Sequence, residues 1–137
     1  MTVRAFFDTN VLVYAAVGTG KDEPKRKRAV ELIESTDFGT SAQVLQEFFV
    51  TVVRKASRPL SAAQALEWIE QWAAFPRQTI DHRLVRIAIE QSERFAISYW
   101  DAAILAAAEA LGSDTVYSED FRHGRRYGHV RVLNPFA

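Results

Sequence analysis

Apolar residues fall along this chain in two rhythms: short solid runs, and longer stretches that repeat every three or four positions. Val3 to Phe7 is a solid run rich in β-formers that stops at Asp8, which predicts a short strand. Asn10 to Ala16 then reads as a helix entered by a tight turn. After a polar loop, Pro24 suits the first turn of a helix running to about Ser35, with Val30, Leu32 and Ile33 inward. Phe38 to Ser41 predicts a second strand, and Ser41 caps the most amphipathic helix of the chain. Its stripe of Val44, Leu45, Phe48, Phe49, Val52 and Val53 runs to Lys55.

Ser57-Arg58-Pro59 breaks that pattern. Ser61 and Gln64 then make a capping box for a helix carrying Leu66, Ile69, Trp72 and Ala73, ended by Phe75-Pro76. Gln78 to Ile80 reads as a third strand. Asp81 caps a helix with Leu84, Val85, Ile87, Ala88 and Ile89, and Ser98 opens an alanine-rich helix closed by Gly112. Thr115 to Ser118 reads as the fourth strand, Glu119 to Gly128 as a loop and Val130 to Leu133 as a last strand. Short strands separated by helices, mostly too far apart for hairpins, predict one α/β domain over residues 1–137. It is a three-layer sandwich with a largely parallel sheet of four to five strands between helices. In such sheets the site lies at the carboxyl ends of the strands. That rim receives Asp8, which ends the first strand, and Asp120, just past the fourth.

Composition narrows the chemistry. With 137 residues, 48% of them apolar, the chain buries a core without a covalent or metal staple. The absence of cysteine excludes disulfides, thiolate-bound zinc, iron–sulfur clusters and thiol catalysis. Seventeen basic and 17 acidic residues cancel, so a polyanion has to be drawn by local clusters. Two exist: Lys21 to Arg28, and a segment holding Arg122, Arg125, Arg126 and Arg131 with no acid. No apolar stretch is long enough to span a bilayer or act as a secretory signal, which makes the cytoplasm the expected location and excludes a membrane partner.

Singly, each acid has a structural explanation. Asp8 caps a helix, Glu47 lies opposite the apolar stripe of its own helix, Asp101 completes a capping box with Ser98, and Asp120 is a turn residue. Asp101 resists that treatment most. It is the only charged side chain between Ile97 and Ala108, in a helix with little surface for water, where a carboxylate is expensive without a cation.

Four strings change the weighing: Phe7-Asp8-Thr9-Asn10-Val11-Leu12-Val13-Tyr14, Ser41-Ala42-Gln43-Val44-Leu45-Gln46-Glu47-Phe48, Ser98-Tyr99-Trp100-Asp101-Ala102-Ala103-Ile104, and Ser118-Glu119-Asp120-Phe121. In order and spacing they resemble the PIN-domain nucleases, and among them the VapC-type toxins of bacterial toxin–antitoxin pairs. The resemblance implies that Asp8, Glu47, Asp101 and Asp120 are the four family acids, with Asp8 and Asp101 as metal ligands. Asn10 matches the family's polar residue after the first acid, and Ser118 its hydroxyl residue near the last. It further implies an endoribonuclease, dimeric, held inactive by a cognate VapB-like antitoxin.

The chemistry agrees with that carry-over. Two carboxylates about 4 Å apart repel by roughly 4 kcal/mol at an effective dielectric near 20, so four around one cleft either take up protons or bind a cation. Oxygen-only ligands select a hard ion, Mg²⁺ or Mn²⁺, and Glu47 or Asp120 then orients water or holds a second ion. Arg122, His123, Arg125 and Arg126 follow Asp120 and are placed to hold an RNA backbone, or are simply a solvated basic loop. Trp68 and Trp72 read as core or subunit packing, and Trp100 as core before base stacking.

Rival readings are weaker. A receiver domain needs a late lysine, and none follows Lys55; a haloacid-dehalogenase-type phosphotransferase needs an acid at position 10, which is Asn. A metal-free ribonuclease using His123 and His129 lacks an orienting acid after Asp120. A PIN-like fold acting only as a binding module is the serious alternative.

Overall fold

A computed structural model describes residues 3–137. Its six strands are β1 (Ala5–Phe7), β2 (Phe38–Ser41), β3 (Arg77–Gln78), β4 (Thr115–Tyr117), β5 (Arg126–Tyr127) and β6 (Val130–Leu133), in spatial order β3-β2-β1-β4-β6-β5. All neighbours pair in parallel except β5 with β6. Six α-helices accompany them: α1 (Thr9–Val17), α2 (Glu23–Ser35), α3 (Ala42–Val50), α4 (Ala62–Gln71), α5 (His82–Phe95) and α6 (Tyr99–Ala110). From β1 the chain steps through β2 to β3 on one side, then returns to place β4 on the other. Right-handed crossovers therefore put α1 to α4 over one face and α5 with α6 over the other.

Local rules explain most boundaries. Asp8, Ser41, Ser61, Asp81 and Ser98 cap the helices that follow them with their side chains, and Ser61 with Gln64 closes a capping box. Helix α5 ends where Ala96 turns left-handed at φ 53°. Phe6, Phe7, Phe38, Phe48 and Leu12 are fully buried, and Phe7 and Phe75 stack on either side of Phe38 at 4.2 and 4.3 Å. Helix α6 is buried from Ala102 through Ala108, because small side chains let it lie close on the sheet.

Several expectations need correction. The segment read as a loop over 119–128 contains β5, so the sheet has six strands rather than four to five. The third strand is Arg77–Gln78, ending before the half-exposed Ile80. Past α3 the helical run to Lys55 widens, with the Ala56 amide donating to the Thr51 carbonyl five residues back. Phe49 and Ile89 face water, since neighbouring elements cover only part of each apolar stripe. Trp72 is core and packs edge-on to Phe48.

Gly39 of β2 lies under the side chain of Leu111, just past α6. A Cβ there would lie 2.6 Å from Leu111 Cδ1 and 2.9 Å from Val3 Cγ2. Gly39→Ala is expected to destabilise by about 1–2 kcal/mol through overpacking, read as a lower midpoint in urea at unchanged slope.

Candidate active site

The strand order reverses between β1 and β4, and the crevice beyond their carboxyl ends is where an open α/β sheet builds a site. Asp8 stands there. Its amide donates to the Tyr117 carbonyl (3.0 Å), while its carboxylate accepts from the Thr9 amide (2.7 Å, Oδ1) and the Ser118 hydroxyl (2.7 Å, Oδ2). The residue is only 5% exposed. Burial pushes its pKa from 3.8 up to about 7, the bonds from Ser118 and Thr9 oppose that, and the charges of Asp120 and Glu47 add to it.

Ser118 is fully buried and ties both strand ends together. Besides donating to Asp8, its Oγ accepts from the Asp120 amide (3.1 Å) and from Asn10 Nδ2 (3.2 Å). Asn10 also donates to Asp120 Oδ2 (3.1 Å) and accepts from the Glu119 amide (3.3 Å). One turn residue of α1 thus fixes the loop that carries Asp120.

The other two acids arrive on helices. Glu47 of α3 accepts at Oε1 from Thr9 Oγ1 and Gln43 Nε2, both 3.3 Å. Partial burial raises its pKa against those two bonds, with the charges of Asp120 and Asp101 pushing the same way as burial. Asp101, in the first turn of α6, has its amide capped by Ser98 Oγ (3.1 Å). Burial raises its carboxyl as well, ahead of the charge of Asp120.

Acids from four distant parts of the chain therefore feel one another's charge. None of the four is ion-paired; among the described residues the salt bridges are Arg4–Asp114, Lys25–Glu119, Arg26–Glu23 and Arg28–Glu31. No three acidic or histidine side chains of the described residues meet within coordinating reach of one point. The set fits a hard divalent ion in its donor chemistry and in its uncompensated charge. A groove of about 310 Å³ is lined by Thr9, Asn10, Glu47 and Asp120, with Tyr14 and Glu119. A cavity of about 770 Å³ lies instead by the amino ends of the strands, beside Arg4, Phe38 and Asp114, and holds none of the four acids.

The surrounding basic residues divide into two sets. Lys25 is committed internally, bonded to Glu119 (3.0 Å) and to the Tyr14 hydroxyl (3.3 Å), and Arg26 and Arg28 pair with Glu23 and Glu31 on their own helix. Arg122, Arg125 and Arg126 are exposed and free of acidic partners among the described residues. Arg126 sits directly opposite Arg131 across the β5–β6 pair, an unfavourable placement of like charges that an anion would relieve. His123 ties the segment before β5 to the chain after β6 by accepting the Asn134 amide at Nδ1 (2.8 Å).

Over residues 5–128 the chain matches the PIN domain family. It belongs to that family. Solved structures similar to this PIN domain include a toxin–antitoxin complex from Klebsiella pneumoniae, with TM-score 0.71 and 17% identity over 96% of this chain and 97% of that one. VapC20 of Mycobacterium tuberculosis, a sarcin–ricin-loop-cleaving toxin, gives 0.65 and 19% over 83% and 88%. DNA-bound VapBC from Salmonella typhimurium gives 0.65 and 18% over 98% and 99%. No curated protein matches the chain in sequence.

Sequence reasoning missed three supports of the site: Thr9, Gln43, and the Tyr14–Lys25–Glu119 cluster, in which the tyrosine hydroxyl lies 2.5 Å from the Glu119 carboxylate. Gln43 was findable, four residues before Glu47 on one helix face. The cluster joins α1, α2 and the loop after β4, so no local spacing announces it.

Proposed function

We propose that this PIN domain is a divalent-metal-dependent endoribonuclease that hydrolyses RNA phosphodiester bonds, and that it is the toxin of a toxin–antitoxin pair. The observation that carries the reading is the network of like charges that links Asp8, Glu47, Asp101 and Asp120 without one basic partner among the described residues. Asp8 and Asp101 would hold Mg²⁺ or Mn²⁺, with Glu47 and Asp120 as the outer acids. Such an ion, when bound, lowers the pKa of a coordinated water and neutralises charge on the phosphate.

The chain's own residues supply the remainder. Ser118 and the Thr9 amide hold Asp8 in one orientation, Asn10 holds Asp120, and Gln43 with Thr9 aims Glu47. Arg122, two residues past Asp120, would attract the phosphate backbone, with Arg125 and Arg126 further along the same segment towards the edge strand β5. The toxin assignment and a VapB-like antitoxin partner draw support from the toxin–antitoxin neighbours, and a homodimer and a cytoplasmic location go with that assignment as part of the same proposal. Among the described residues no helix is long and apolar enough to cross a membrane.

The purified protein is expected to cut structured RNA with Mg²⁺ or Mn²⁺ and to stop when a chelator is added, followed on a denaturing gel. Persistent cutting in chelator overturns the metal assignment. Expression in bacteria is expected to arrest growth unless a small co-encoded protein is present, and unimpeded growth removes the toxin assignment.

A further inference from the structure

Trp100 is 65% exposed, the most open large apolar side chain among the described residues. An indole removes 150–250 Å² of surface from water when it finds a partner, so leaving it bare at a fixed position needs a reason. Its position is fixed. Ser98 caps the first turn of α6, the Trp100 carbonyl accepts from Gln43 Nε2 (3.2 Å), and that amide also reaches Glu47. The Tyr99 ring packs edge-on against the indole at 5.1 Å. The other exposed apolar side chains, Phe49, Val50, Leu66, Ile80 and Ile89, lie on different elements.

Consecutive residues of a helix point about 100° apart, so the indole points away from the Asp101 carboxylate that follows it, while the Trp100 carbonyl is linked through Gln43 to Glu47. A planar aromatic face on the residue that precedes Asp101 suits a nucleotide next to the scissile one. The arginines beyond Asp120 offer positive charge to phosphates, and Trp100 offers an aromatic face to a base. A base inside a duplex is already stacked on both faces, whereas an unpaired base is free to stack on an aromatic ring.

Resting on the nuclease reading above, we propose that Trp100 is a stacking platform for an unpaired nucleobase flanking the scissile phosphate. Trp100→Ala is expected to raise KM for a short single-stranded oligoribonucleotide about tenfold or more, with kcat near native, and Trp100→Phe to recover most of the loss. The melting temperature should not move, because the side chain is open to water. The same strand bearing an abasic flanking nucleotide should show no further loss in Trp100→Ala.

Binding is read separately, in chelator, from the part of the tryptophan emission that Trp100→Phe removes. Single-stranded oligoribonucleotide should quench it, and the same strand annealed to its complement should not. A native protein that cuts no RNA ends the nuclease reading alone, and the quenching still decides the platform. Unchanged KM in Trp100→Ala, or equal quenching by duplex, overturns the proposal. So does conversion of a dimer to a monomer by Trp100→Ala with KM unchanged, which assigns the indole to a contact between copies.

Discussion

Asp8→Asn is expected to lower RNA cleavage on the order of 10³-fold or more and, in chelator at neutral pH, to raise the melting temperature. The two effects share one cause. Folding takes the Asp8 carboxylate out of water beside two like charges, so its pKa rises from 3.8 to about 7. The raised value means that the folded chain holds this proton more tightly than the unfolded one. Stability from this group is therefore complete below pH 3.8, declines as pH rises through that window, and is gone above about 7. The penalty at neutral pH amounts to at most about 4 kcal/mol, at 1.36 kcal/mol per pKa unit. Asparagine keeps the shape and removes the charge. A rise of roughly 5–10 °C in differential scanning calorimetry is the expected result. Added Mg²⁺ should stabilise the native chain and leave Asp8→Asn unmoved; a variant no more stable than native in chelator would show that burial of Asp8 carries no such penalty.

How much of this was legible beforehand depends on whether the cause was local. Asp8, Ser41, Ser61, Asp81 and Ser98 announced helix starts because a cap is decided within four residues. The parallel sheet followed from strands spaced too far apart for hairpins. Strand β5 was invisible, since two residues among arginines and glycines become a strand only by pairing with β6. Trp100 was misplaced for a related reason. The alanine-rich composition of α6 predicted burial along its whole length, yet burial begins at Ala102 and leaves the first turn open. The four acids could be nominated from their strings. What no string contained was the bonding that orients them, because Asn10 and Ser118 lie 108 residues apart and meet only across β1 and β4.

That bonding makes Ser118 the most consequential neutral residue of the site. Its hydroxyl is fully buried, donates to Asp8 and accepts from both the Asp120 amide and Asn10. Ser118→Ala removes one atom and takes a partner from the buried Asp8 carboxylate, from the Asp120 amide and from Asn10, of which Asn10 keeps its bond to Asp120. Each such group costs about 1–3 kcal/mol, so the variant should lose upwards of about 2 kcal/mol in urea unfolding. Activity should fall further than stability explains, by about 10- to 100-fold, as when a group that orients a metal ligand is lost. The pH dependence separates orientation from mere damage. The Ser118 bond lowers the Asp8 pKa, so its loss lets burial push that carboxyl higher still. More alkaline solution is then needed to ionise it, and the acid limb of kcat/KM should move to higher pH in Ser118→Ala. Ser118→Thr, which keeps the hydroxyl, should leave the limb where the native protein has it. An unshifted acid limb in a folded Ser118→Ala would show that the hydroxyl does not govern the charge of Asp8.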